Sequence, residues 1–121
     1  MSTITRTSGA LHAALAAVGN ERAIKPLTLR VLLAIDQSTT PPTYESLARD
    51  IGVACSSAVR RAMGELYECD FATGRAVDGG RRRQGIPTQV ALTDLGVDLA
   101  RDVVEAYRSH LLQIEIEAVA A

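Results

Sequence analysis

The chain has 121 residues, 47% of them hydrophobic and 22% charged, a balance that suits one globular domain with its own core. No stretch approaches the roughly 18 consecutive apolar residues of a membrane span, and the start lacks the basic-then-apolar run of a secretory signal, so a cytoplasmic protein with no membrane partner is expected. Two cysteines (Cys55, Cys69) and two histidines (His12, His110) stand in no metal-ligand spacing, which argues against a zinc site, and no cofactor is expected. The net charge of −1 hides a segregation. Residues 1–93 hold 11 Lys or Arg against 8 Asp or Glu, whereas residues 94–121 hold 2 against 6, giving +3 and −4. A basic body with an acidic tail is suited to meeting phosphate on one face only.

Taken in order, the first element is an alanine-rich helix over Ser8–Val18, with Leu11, Ala14, Leu15 and Val18 on one face and Gly19-Asn20 as its stop. His12 lies beside that stripe and reads as a surface or packing residue. A second helix runs from Lys25-Pro26 to Asp36. Its proline suits the first turn, and the apolar run that follows is dense enough to be buried on more than one side. Gln37 to Pro42 is a polar connection whose two prolines end that helix.

The stretch Thr43–Leu66 carries the most information. Tyr44, Leu47, Ala48 and Ile51 fall on one helical face, Thr43 is positioned to cap it, and Gly52 can close it in the left-handed conformation. The chain then reverses over Gly52–Ala54. A further helix opens near Ser56 or Ser57 and repeats the apolar spacing at Val59, Ala62, Met63 and Leu66. Its opposite face presents Ser57, Arg60, Arg61, Gly64 and Glu68, with Ser56 at its start. Small residues let such a helix approach a duplex closely, and arginine can bond guanine O6 and N7 in the major groove. Two short helices around a tight turn are a helix-turn-helix pattern. Cys55 sits at the edge of the second helix, where a helix dipole can lower a thiol pKa; a tolerated small turn residue is the simpler reading.

Beyond this helix, Phe71–Val77 can form a strand containing Arg75, Asp78-Gly79-Gly80 a turn, and Thr88–Leu92 a second strand with Val90 and Leu92 alternating. Between them Arg81, Arg82, Arg83 and Gln84 make a basic, glycine-flanked tip. After a helix-turn-helix at this distance, the tip reads as a wing that tracks phosphates or enters the minor groove. Thr93 is placed to cap a last helix, with Asp94 against its positive end. That helix continues to about Val119. Ala100, Val104, Tyr107, Leu111, Ile114 and Ala118 recur by four and three, a heptad stripe that calls for a partner helix.

The order helix, helix, helix-turn-helix, basic wing, Leu92-Thr93-Asp94-Leu95-Gly96 and long helix resembles the winged helix-turn-helix transcriptional regulators of the MarR type. The resemblance spans nearly the whole chain, its specific parts being Leu27-Thr28 to Ile35, Val53 to Leu66, Asp78 to Arg83 and Leu92 to Gly96. It implies a mainly α fold with a small β-hairpin, arranged as one domain: an N-terminal dimerisation helix (1–24), the winged helix-turn-helix (25–93) and a C-terminal dimerisation helix (94–121). It further implies a homodimer on a pseudo-palindromic DNA operator, usually acting as a repressor. Relatives often release DNA on binding a small-molecule effector or on cysteine oxidation; one Phe, three Tyr and no Trp leave little material here for an aromatic pocket.

The expected function is therefore a sequence-specific regulator that binds double-stranded DNA. Ser56, Ser57, Arg60, Arg61 and Gly64 form its recognition helix, and Arg75, Arg81, Arg82, Arg83 and Gln84 its wing. Leu11, Leu15, Val18, Val104, Tyr107, Leu111 and Ile114 are its expected dimer contacts. The alternative is a winged-helix module serving replication, DNA packaging or protein-protein assembly of a phage or plasmid. An enzyme is disfavoured, since no nucleophile stands near a base in a usable spacing and no glycine-rich phosphate loop follows a strand.

Overall fold

The apolar spacing resolves into five helices and one hairpin in a computed structural model, which describes residues 3–53, 56–76 and 88–120, and side chains within 7–53, 57–74 and 89–119. The order is α1 (Thr3–Arg22), α2 (Pro26–Gln37), α3 (Tyr44–Ile51), α4 (Ser56–Glu68), β1 (Ala72–Ala76), β2 (Thr88–Leu92) and α5 (Asp94–Ala120). This is the expected fold class, a mainly helical winged helix-turn-helix between long terminal helices. One apolar cluster joins Leu15 and Val18 of α1, Leu29, Leu32 and Ile35 of α2, Leu47 of α3, Val59, Met63 and Leu66 of α4, Val90 of β2, and Leu99 and Val103 of α5. The central helix α2 is the support, with Thr28, Leu29, Val31, Leu32 and Ile35 all buried.

Three helices end in the same way, and the ends explain the turns. At α3, Gly52 takes φ 79°, and the Val53 N–H returns to the Ala48 carbonyl at 3.0 Å. At α4, Asp70 takes φ 60°, and the Phe71 N–H reaches the Leu66 carbonyl at 2.9 Å. At α1, Ala23 takes φ 56°, and the Ile24 N–H reaches the Gly19 carbonyl at 2.9 Å. Each is a Schellman closure, in which a left-handed residue lets the chain satisfy otherwise orphaned carbonyls. Only the first has the glycine that this geometry prefers.

The N-terminal helix corrects the expectation of a stop at Gly19-Asn20, because α1 runs through both to Arg22. Gly19 is there for space: a Cβ at that position would lie 2.6 Å from the Ile24 carbonyl oxygen. Local punctuation suggested an end, but the turn folding back onto Gly19 needed the missing side chain instead.

Hairpin strands β1 and β2 pair antiparallel, Ala72 opposite Leu92 and Ala76 opposite Thr88. On its other side β2 meets the connection before α3, through a bridge between Thr43 and Gln89 and a 3.0 Å bond from the Val90 N–H to the Pro42 carbonyl. Strand β2 is thus tied to the entrance of the helix-turn-helix. At its far end Thr93 caps α5, accepting the Gly96 N–H at 3.1 Å, while its own N–H bonds the Phe71 carbonyl at 3.1 Å. Gly96 packs so closely there that a Cβ would overlap the Phe71 oxygen. The glycine of Leu92–Gly96 is therefore a packing requirement of the joint between hairpin and last helix.

Helices α1 and α5 lie against each other within the protomer, linked at the surface by a 2.6 Å ion pair between Arg22 and Asp102. This placement corrects part of the expected dimer set. Leu15 and Val18 are 2% and 7% exposed in the chain's own core, so they have no surface left for a partner. Ala100, from the heptad stripe, is likewise buried. The inward face of α5 is Leu99, Ala100 and Val103, one helical position away from much of the expected stripe. Leu11 remains exposed, and Val104, Tyr107, Leu111 and Ile114 are half-exposed. Leu112, Ile116 and Val119 add large apolar groups to the outer end of the same helix.

Candidate nucleic-acid interface

Helix α4 is held from behind and at both flanks. Val59, Ala62, Met63 and Leu66 are buried, as their spacing predicts, which turns Ser57, Arg60 and Arg61 outward with Gly64 half-exposed between them. Helix α4 already begins at Ser56, so Ser56 and Ser57 stand inside its first turn rather than ahead of it as caps. The Ser56 side chain, like Cys55, lies outside the described residues.

Helix α3 is started by Thr43, whose Oγ1 accepts the Ser46 N–H at 3.2 Å while the Ser46 Oγ accepts the Thr43 N–H at 2.9 Å. This reciprocal capping box satisfies two otherwise orphaned donors. From α2, Arg30 donates to the Ile51 carbonyl at 2.7 Å and so secures the other end of α3. The Tyr44 and Tyr67 hydroxyls meet at 2.8 Å and join α3 to the last turn of α4. On the opposite flank the buried Thr28 hydroxyl donates to Glu65 at 2.8 Å, joining α2 to α4. Glu65 and Tyr67 were not singled out in the sequence; their roles depend on partners 37 and 23 residues away.

At about 100° per residue, the two arginines of α4 lean to different sides of the outward face. Arg60 shares the flank of Tyr67, towards α3. Arg61 shares the flank of Ala58 and Glu65, towards α2, and lines a concavity there with Lys25. The ion pairs among the described residues are Arg22–Asp102 and Arg101–Asp98. Arg60, Arg61 and Lys25 belong to neither, so their charges are presented to solvent. Of the expected wing residues, Arg81, Arg82, Arg83 and Gln84 lie outside the described residues, as does the Arg75 side chain, although its backbone is in β1 opposite Gln89.

A second feature lies between the terminal helices and α2. A groove of about 470 Å³ is lined by Leu11, Leu33, Val103, Val104 and Tyr107, with Thr7, Ser8 and Gln37 at its polar positions. Among the described residues no group of His, Cys, Asp or Glu is arranged to hold a metal ion, and no helix is long and apolar enough to cross a membrane.

A helix-turn-helix with an attached hairpin, set between two long helices, is the architecture of the MarR-type winged-helix transcriptional regulators. No family model and no curated protein matches the sequence. Solved structures do. The transcriptional regulator PA3341 matches with a TM-score of 0.71 over 92% of this chain and 77% of its own, at 22% identity. A MarR-family transcriptional regulator from Silicibacter pomeroyi matches with a TM-score of 0.72 over 92% and 70%, at 16% identity. The F27L mutant of S. aureus MepR, bound to an oligodeoxyribonucleotide, matches with a TM-score of 0.64 over 93% and 76%, at 16% identity. At these identities the likeness is one of fold.

Proposed function

We propose that the protein is a cytoplasmic, non-enzymatic transcriptional regulator that binds a pseudo-palindromic operator in double-stranded DNA as a homodimer, and that it represses. The observation that carries this reading is the outward face of α4, where Ser57, Arg60, Arg61 and Gly64 stand clear of the core, with neither arginine in an ion pair among the described residues. The DNA-bound state of the MepR neighbour, which shares the fold, supports it. In this reading α4 enters the major groove while the segment carrying Arg81, Arg82, Arg83 and Gln84 follows the phosphates. The homodimer uses Leu11, Val104, Tyr107, Leu111 and Ile114, together with the outer end of α5. A small-molecule effector would occupy the groove beside Leu33 and Tyr107, whose lining is mainly apolar.

Selection of bound duplexes from a random pool, followed by footprinting upstream of the protein's own gene, tests the proposal. The expected result is one protected site with half-sites about one helical turn apart, roughly 34–36 Å. Arg82→Ala should weaken operator and scrambled DNA alike, and lower the salt slope by nearly 2 per dimer, from about 0.9 for each phosphate no longer neutralised. Failure to enrich any sequence, with equal affinity for all duplexes, would favour the replication, packaging or assembly module instead.

A further inference from the structure

The start of α2 and the flank of α4 enclose a concavity of about 180 Å³ beside the outward face of the recognition helix. Its rim carries two cations from different elements, Lys25 just before α2 and Arg61 on α4, and neither belongs to an ion pair among the described residues. The one acid in the lining, Glu65, accepts the buried Thr28 hydroxyl, which ties its carboxylate to α2 rather than to Arg61. Lys25 stands just ahead of α2, and its side chain is exposed. Two cations from different elements thus line one concavity across a helix junction, in no ion pair among the described residues and beside the face proposed to meet DNA.

We infer that Lys25 and Arg61 together clamp one backbone phosphate of the DNA strand bordering the α2 side of the groove. This rests on the DNA-binding reading and adds to it: Arg61 becomes a positioning contact, and of the two arginines only Arg60, on the other flank, is left to read a base. Lysine supplies a mobile point charge and arginine a fixed fork, a combination that suits one phosphate approached from two sides.

The test compares wild type, Lys25→Gln, Arg61→Gln and the double variant on the selected operator and a scrambled duplex across a salt series, with Arg60→Gln alongside. Each single variant is expected to weaken both duplexes by the same factor. The double variant should lower the salt slope by about 1.8 per dimer, the loss of one shared phosphate in each half-site, rather than the roughly 3.6 of two separate phosphates. Lys25→Arg should restore most of the affinity, and unchanged thermal unfolding of the Lys25 variants would show that the fold is intact. Unchanged affinity of Lys25→Gln for both duplexes, a loss confined to the operator in Arg61→Gln, or a drop of about 3.6 in the salt slope of the double variant would each overturn the clamp while leaving the function standing. Wild-type protein without affinity for any duplex would overturn both.

Discussion

Two glycines in the helices that frame the proposed DNA face should respond in opposite directions to the same added methyl group. Gly96 sits in the first turn of α5, where a Cβ would overlap the Phe71 carbonyl oxygen and come 3.0 Å from its carbon. Backbone is the obstacle, so no side chain can swing aside, and α5 itself must move. That movement pulls on the bond from the Thr93 N–H to the same Phe71 oxygen and on the cap from Thr93 to the Gly96 N–H. A hydrogen bond is worth about 1 kcal/mol, a cap about 1, and overpacking costs about 1–3. Against these stands the gain of about 0.5–1 kcal/mol from replacing glycine in a helix. Gly96→Ala should therefore destabilise by about 2–4 kcal/mol and lower the melting temperature by roughly 10 °C.

Gly64, on the outward face of α4, has nothing within 4 Å of where its Cβ would stand. Gly64→Ala should raise stability by about 0.5–1 kcal/mol through helix propensity alone. If α4 lies against the duplex, the same methyl should lower operator affinity, so stability and binding move in opposite directions. Urea unfolding of both variants, with operator titration of the second, checks this. A Gly96→Ala protein melting within about 2 °C of wild type, or a destabilised Gly64→Ala, would refute the reasoning about space at these positions.

Three further outcomes are expected. Ala23→Gly should gain about 0.5–1 kcal/mol in urea unfolding, because the left-handed conformation costs a residue with a Cβ about 1–2 kcal/mol, more than glycine loses in chain entropy. Glu65→Ala leaves the buried Thr28 hydroxyl without its acceptor and should cost about 1–3 kcal/mol; the Thr28→Val, Glu65→Ala pair should recover part of that loss. Replacing Leu111 and Ile114 together by glutamate should turn a sedimenting dimer into monomers, since both are half-exposed in the protomer and lie beyond its core; a wild type that sediments as a monomer at micromolar concentration would remove the dimer from the proposal.

Features that depend on neighbours within one helical turn were legible in the sequence. Thr43 caps a helix through Ser46, three residues away, Gly52 closes it with a conformation glycine alone adopts cheaply, and the spacing of Val59, Ala62, Met63 and Leu66 defines the buried side of α4. The outward placement of Ser57, Arg60 and Arg61 follows from that same period. What an apolar stripe packs against is a different matter, because periodicity shows that a face must be covered and not by what. Leu15 and Val18 carried the same signal as an interface with another chain, yet they are covered within the protomer, where α1 packs on an α5 that begins far along the chain at Asp94. Gly19 looked like an ending because a glycine costs a helix locally; the returning Ile24 carbonyl made that glycine necessary. The bonds from Thr28 to Glu65 and from Tyr44 to Tyr67, and the concavity that Lys25 and Arg61 both line at the α2–α4 junction, exist only once the helices are packed. Local chemistry determined which side of α4 faces out, and the packing of α2 against it decided which cations share that side.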